Sequence, residues 1–183
     1  KQNFEDNNNS PAFAGRIAAG PSASAELGVS WHVGQYNESL MEDLNIDEAR
    51  DVRLFAIDGL HEIGNQTVEG EYSRASIDIP ASLRGSIFAE NQDGIYLQWS
   101  ASFFHGRLGD LVDSYFEGVV RFDRVDFDTN LAGDDVRQWS FGLNFRPTHE
   151  SVLKLNYFKN WSHDRNNVLA RRAGVLFSVA TYF

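Results

Sequence analysis

Five histidines, at positions 32, 61, 105, 149 and 163, stand in a chain that has no cysteine. None of them falls at the short spacing a zinc site needs, so no metal is assigned. The lack of cysteine also removes disulfides and thiol nucleophiles. The stretch DFDTNLAGDD opens like a calcium loop with Asp126, Asp128 and Asn130. Leu131, however, stands where that loop turns on glycine, and Arg137 where a bidentate Glu belongs, so a hydrated outer loop is the better reading. There is no Gly-rich phosphate loop and no nucleophile elbow. A hydrolase would need a serine and a histidine joined by folding, and nothing in the pattern points to one; no enzyme activity and no cofactor are expected. The formal net charge of -10, without a basic stripe, makes nucleic acid an unsuitable partner.

The remaining chemistry lies in charged and amide residues at alternate positions. Glu26, His32, Asp58, Glu69 and Glu71 belong to the first half of the chain, and Glu117, Arg121, Asp123, Arg146, Lys154 and Asn156 to the second. Acids and bases on opposed walls of a water-filled bore align water and filter ions by charge and width. The negative total favours cations if it faces such a bore. Arg121, Arg124 and Lys154 leave an anion such as phosphate as the other option.

Elements able to place those residues on one side must have a two-residue period. Nine such segments are expected, at about 13–20, 25–36, 52–62, 66–77, 94–105, 114–126, 136–146, 151–160 and 172–183. Most are close to the ~9–11 residues with which a tilted strand crosses a bilayer. In QWSFGLNF, Trp139, Phe141, Leu143 and Phe145 share one face and Gln138, Ser140, Gly142 and Asn144 the other. GIYLQWSASFF repeats the arrangement, with Ile95, Leu97, Trp99, Ala101 and Phe103 opposite Tyr96, Gln98, Ser100 and Ser102. No run reaches the ~18 apolar residues of a spanning helix, a test that membrane strands escape.

Strand period alone does not say which face meets water, and a soluble sandwich or lipocalin-like barrel with an apolar interior has the same period. Two features favour the membrane. Trp31, Trp99, Trp139, Phe141, Phe145 and Tyr157 lie on apolar faces near segment ends, as interfacial aromatic girdles do. The intervening connections also take turns, short then long, as in barrels with tight turns at one end and free loops at the other.

The final segment, RRAGVLFSVATYF, resembles the closing strand of Gram-negative outer-membrane β-barrel proteins, which ends in Phe with apolar residues at every second place before it. Thr181 departs from the aromatic more usual at its position. GRIAAGPSASAELGVSWHVG, VEGEYSRASI, DGIYLQWSASFF, YFEGVVRFDRVDF and FGLNFRPTHESVLKLNYF look like segments of general and phosphate-selective porins, and the resemblance extends from about Phe13 onward. It implies an antiparallel up-and-down transmembrane β-barrel in a bacterial outer membrane and passive flow of small hydrophilic solutes or ions. It also implies outer-membrane lipid and the barrel assembly machinery as partners, with Phe183 as assembly signal, and assembly as a homotrimer.

The chain opens KQNFEDNNN, without an initiator Met or an apolar signal core, so a processed or truncated start is expected. Residues 1–183 read as a single all-β barrel domain, with 1–12 as the remnant of an extracellular loop. Nine is odd whereas single-chain bacterial barrels are even, so about nine strands of a 16- or 18-stranded barrel are expected here, roughly seven or nine preceding them. A ten-stranded closed barrel with one strand overlooked is the alternative, with a structural or adhesive role through its loops. A soluble barrel holding an apolar ligand is the third reading.

Overall fold

A computed structural model describes residues 10–36, 50–79 and 89–181. They form one sheet of nine antiparallel strands, each paired with its neighbours in sequence. The strands are β1 (Phe13–Ser22), β2 (Ala25–Tyr36), β3 (Arg50–Ile63), β4 (Gln66–Ile77), β5 (Asn91–Phe103), β6 (Tyr115–Asp126), β7 (Asp135–Thr148), β8 (Ser151–His163) and β9 (Leu169–Thr181). The sheet is open: β1 and β9 are its two edges, and they run in the same direction. No helix occurs among the described residues. The expected N-terminal loop remnant falls largely, and Phe183 wholly, outside the described residues.

Registers explain how one face is kept. Opposed residues in an antiparallel pair share a face, so the chain Val29–Ile57–Tyr72–Ile95–Arg124–Arg137–Trp161–Arg171 lies on one side from β2 to β9. Two irregularities interrupt the ladder, between Ala19 and Ser22 and between Phe145 and Thr148. Each contains a proline, Pro21 or Pro147, which has no N–H to give a ladder. Both fall in the last turn of pairing, so neither reverses the faces of the strand body.

Connections occupy two ends. Residues 23–24, 64–65, 104–114 and 149–150 join strands at one end and 127–134 and 164–168 at the other, while the long connections expected after β2 and β4 lie wholly or mostly outside the described residues. The expected sorting by length therefore fails at 104–114. That segment folds on itself: Gly106 N donates to Ser114 O at 2.8 Å, and Ser114 is the most deeply buried side chain described, at 1% exposure. The long connection expected from Trp161 to Arg171 is short instead. Both strands extend into it, and Asp164 Oδ1 accepts from the amides of Asn166 and Val168 while Asn167 takes the left-handed conformation (φ 60). Gly133 (φ 143) lets the 127–134 connection meet this turn, for a Cβ there would come 2.5 Å from Asp164 O.

The distribution of burial is inverted. Ile79 and Val152 are the buried apolar residues described, whereas Ser100, Ser114, Asp128, Asp135 and Asn144 are buried polar ones. Trp99, Trp139 and Phe141 are 42%, 42% and 46% exposed. Packing on the apolar side runs along the surface, as in the ladder of rings Phe103–Phe116–Phe145, with centroids 5.9 and 4.8 Å apart.

The β3–β4 turn isolates a backbone effect, since Gly64 has φ +62 and open space around its missing Cβ. Gly64→Ala is expected to lower the unfolding free energy by about 1 kcal/mol, and Gly64→Asn by much less, since Asn accepts that conformation. Urea titration of the folded protein measures both.

Candidate functional site

All of the charged and amide candidates lie on the face opposite the exposed rings. One row crosses the sheet as Gly28–Asp58–Glu71–Tyr96–Asp123–Gln138–Asn160–Arg172, and the next as Glu26–Leu60–Glu69–Gln98–Arg121–Ser140–Phe158. Nearer the two-residue turns, Glu117, Asn144 and Lys154 share a third row, and Asn156 stands opposite Gly142. Arg146 lies at that end over the Tyr115 ring, 5.9 Å from its centroid. His32 stands apart toward the other end, level with Leu54 and Ala75, so it joins none of the charge clusters.

The polar face is the sheltered one. Along β7, Trp139, Phe141 and Leu143 are exposed while Gln138, Ser140 and Gly142 between them are half-buried and Asn144 is buried. Coiling a sheet toward its polar side produces this asymmetry. Polar side chains are also tied to one another across strands. Arg16 reaches over β2 to Asp58, with Nη1–Oδ1 at 2.7 Å and Nη2–Oδ2 at 2.8 Å, and meets Glu26 at 3.0 Å. Gly28 permits the crossing: a Cβ there would lie 2.6 Å from the guanidinium and 2.7 Å from the carboxylate.

Farther along, Gln98 donates to Glu69 at 2.8 Å, Arg121 donates to Asp123 at 2.8 Å while covering the Tyr96 ring at 4.0 Å, and Asn144 donates to Glu117 at 2.9 Å. Charge is therefore graded across the sheet. Glu26 and Asp58 hold Arg16 and Glu69 and Glu71 on β4 add further acids, whereas β6–β8 add Arg121, Arg146 and Lys154 to Glu117 and Asp123. At the end with the two-residue turns a polar recess of about 540 Å³ opens between Glu62, Ser100, His105, Asp113, Glu117 and His149, among others.

The aromatic candidates all lie on the opposite face, and each has a local support. Trp31 packs over Gly15, Trp99 Nε1 donates to Gln66 at 2.9 Å, and Trp139 leans on Phe122 at 5.1 Å. Phe141 stands opposite Tyr157, and Phe145 stacks on Phe116. The calcium-like loop has its carboxylates engaged by the protein, with Arg124 on Asp126 at 3.1 Å and Arg165 on Asp128 at 3.5 Å.

Sequence reasoning passed over Arg16, Tyr96, Gln98 and Asn144 as members of these clusters. Arg16 sits in FAGRIAAGPS, where small residues on both faces blur the alternation. Tyr96, Gln98 and Asn144 were on the correct face by period, but their partnerships depend on cross-strand register, which one strand does not contain. No protein-family model, curated protein or solved structure matches this chain.

Asn144 is 8% exposed and satisfies Glu117. Asn144→Leu is expected to cost about 1–3 kcal/mol by leaving that carboxylate without its donor. Adding Glu117→Leu should recover much of the loss, because the orphaned group is then gone; equilibrium unfolding of the single and double variants measures the recovery.

Proposed function

We propose that this sheet is a sector of the wall of an outer-membrane porin, a barrel enclosing a water-filled channel for passive diffusion of small hydrophilic solutes or ions. The observation that carries the reading is the inversion of faces, with open indole and phenyl rings on one side and sheltered, mutually bonded carboxylates and guanidiniums on the other. Water-soluble monomers rarely expose contiguous apolar patches beyond a few hundred Å². A bilayer supplies the missing apolar neighbour. Strands of 10 to 14 residues are long enough to cross it when tilted.

Backbone pairing supports the same reading. In hydrocarbon every N–H and C=O needs a partner, so a sheet must close. β1 and β9 run in the same direction, and antiparallel closure between them takes an odd number of further strands, whereas direct closure takes a parallel seam. The polar face then becomes the lumen. Its acidic β2–β4 sector neighbours a more basic one on β6–β8, which favours cations near the acidic wall. A soluble barrel holding an apolar ligand would need Trp99, Trp139 and Phe141 inside, opposite to their exposure.

Planar-bilayer recording tests the function. The full-length protein should give stepwise, voltage-tolerant conductance, and Glu69→Gln with Glu71→Gln should move the reversal potential in a salt gradient toward lower cation preference. A protein that stays monodisperse without detergent, with tryptophan fluorescence unaffected by brominated lipid, would overturn the reading. Insertion without conductance would leave a plugged barrel whose role lies in its loops.

A further inference from the structure

Resting on the membrane reading, a second feature concerns what touches the apolar face at its rim. Arg124 stands directly opposite Arg137, Arg137 opposite Trp161, and Trp161 opposite Arg171, all on the apolar side. One pleat toward the two-residue turns, the same strands carry Phe122, Trp139, Lys159 and Ala173. Lys159 apart, the arginines form the first charged row beyond the exposed apolar band, at the end bearing connections 127–134 and 164–168.

Like charges directly opposed across strands are unfavourable. Here they are only partly neutralised. Arg124 Nη2 donates to Asp126 at 3.1 Å and Arg137 Nε to Asp135 at 3.0 Å, each acid lying two residues farther from the apolar band on the same strand. Asp93, Asp126 and Asp135 are themselves opposed, forming an acidic row behind the basic one. Each guanidinium carries five N–H donors, so most remain free. Arg171 is exposed, with no carboxylate partner among the described residues. Lys159 adds a cation beside the row, 5.2 Å from the Trp161 ring.

We propose that Arg124, Arg137 and Arg171, with Lys159 and Trp161, bind the phosphate of an anionic lipid headgroup whose acyl chains lie on the apolar band. Charge complementarity carries the assignment. In a chain of net charge -10, cations are gathered side by side at a level where, on the membrane reading, hydrocarbon gives way to headgroups. Arginine forks match phosphate oxygens, and the indole suits the same depth. The acids behind steer the guanidiniums while standing too far from the apolar band to displace the phosphate.

Native mass spectrometry of the full chain in maltoside micelles, titrated with cardiolipin or phosphatidylcholine, tests this. Cardiolipin adducts should predominate. Arg171→Gln and Arg137→Gln should each weaken that preference about fivefold, as loss of one interfacial cation implies. Arg107→Gln, in the 104–114 connection at the opposite end, should leave it unchanged. Asp126→Asn, which frees Arg124, should strengthen it, a gain that a folding defect does not mimic. Equal uptake of the two lipids, equal loss in Arg107→Gln, or no gain in Asp126→Asn overturns the headgroup site but leaves the membrane reading intact. A chain that binds neither lipid nor detergent and stays monodisperse in plain buffer overturns both.

Discussion

Successive side chains on a strand point to opposite sides, and everything else in this protein depends on that parity surviving eight strand pairings. A slip of one residue in any of them would carry carboxylates to the open side and indoles to the sheltered one. The two bulges fall where they do the least harm, beside Pro21 and Pro147 at the turn-proximal ends of β1 and β7. Between them the register is unbroken, and a row begun at Val29 arrives at Arg171 on the same face. Adhesion across the apolar side comes from rings stacked along the surface, while the polar side is held by bonds that cross one or two strands, as from Arg16 to Asp58.

Strand positions were legible because the period is written into each segment separately. QWSFGLNF contains its own face assignment, and so does GIYLQWSASFF. The side shared by Glu26, Asp58, Glu69, Glu71, Glu117, Arg121 and Asp123 could be read in the same way. Loop lengths were less legible. Trp161 to His163 breaks the apolar alternation, and its strand character comes from register with β7, where His163 bonds Asp135 at 2.6 Å. The compact shape of 104–114 depends on left-handed residues at Phe104, Gly106 and Gly109 and on the buried Ser114, none of which announces itself by spacing. Partnerships such as Arg121 with Tyr96, or Gln98 with Glu69, are properties of two strands, and a single strand's pattern is silent on them.

The inverted distribution of burial changes what the usual stabilising terms mean. A core of interlocking apolar side chains is absent from the described residues, and the apolar contacts they make run along the open face of the sheet. The polar side bears the specificity that a core ordinarily supplies: Asn144, Gln98 and Arg16 each fit one partner in one register. Such a sheet takes the uniqueness of its pairing from these hydrogen bonds.

The clasp between the 127–134 and 164–168 connections has a consequence of another kind. Arg165 reaches Asp128 and Asp134, while Asp134 N donates to Asp164 O, so neighbouring hairpins are pinned to each other at their tips. Pinning two hairpins fixes their stagger, and in any closed tube stagger and strand number together set the diameter. If this sheet closes, a fastening at its brim gauges the width of the whole cylinder.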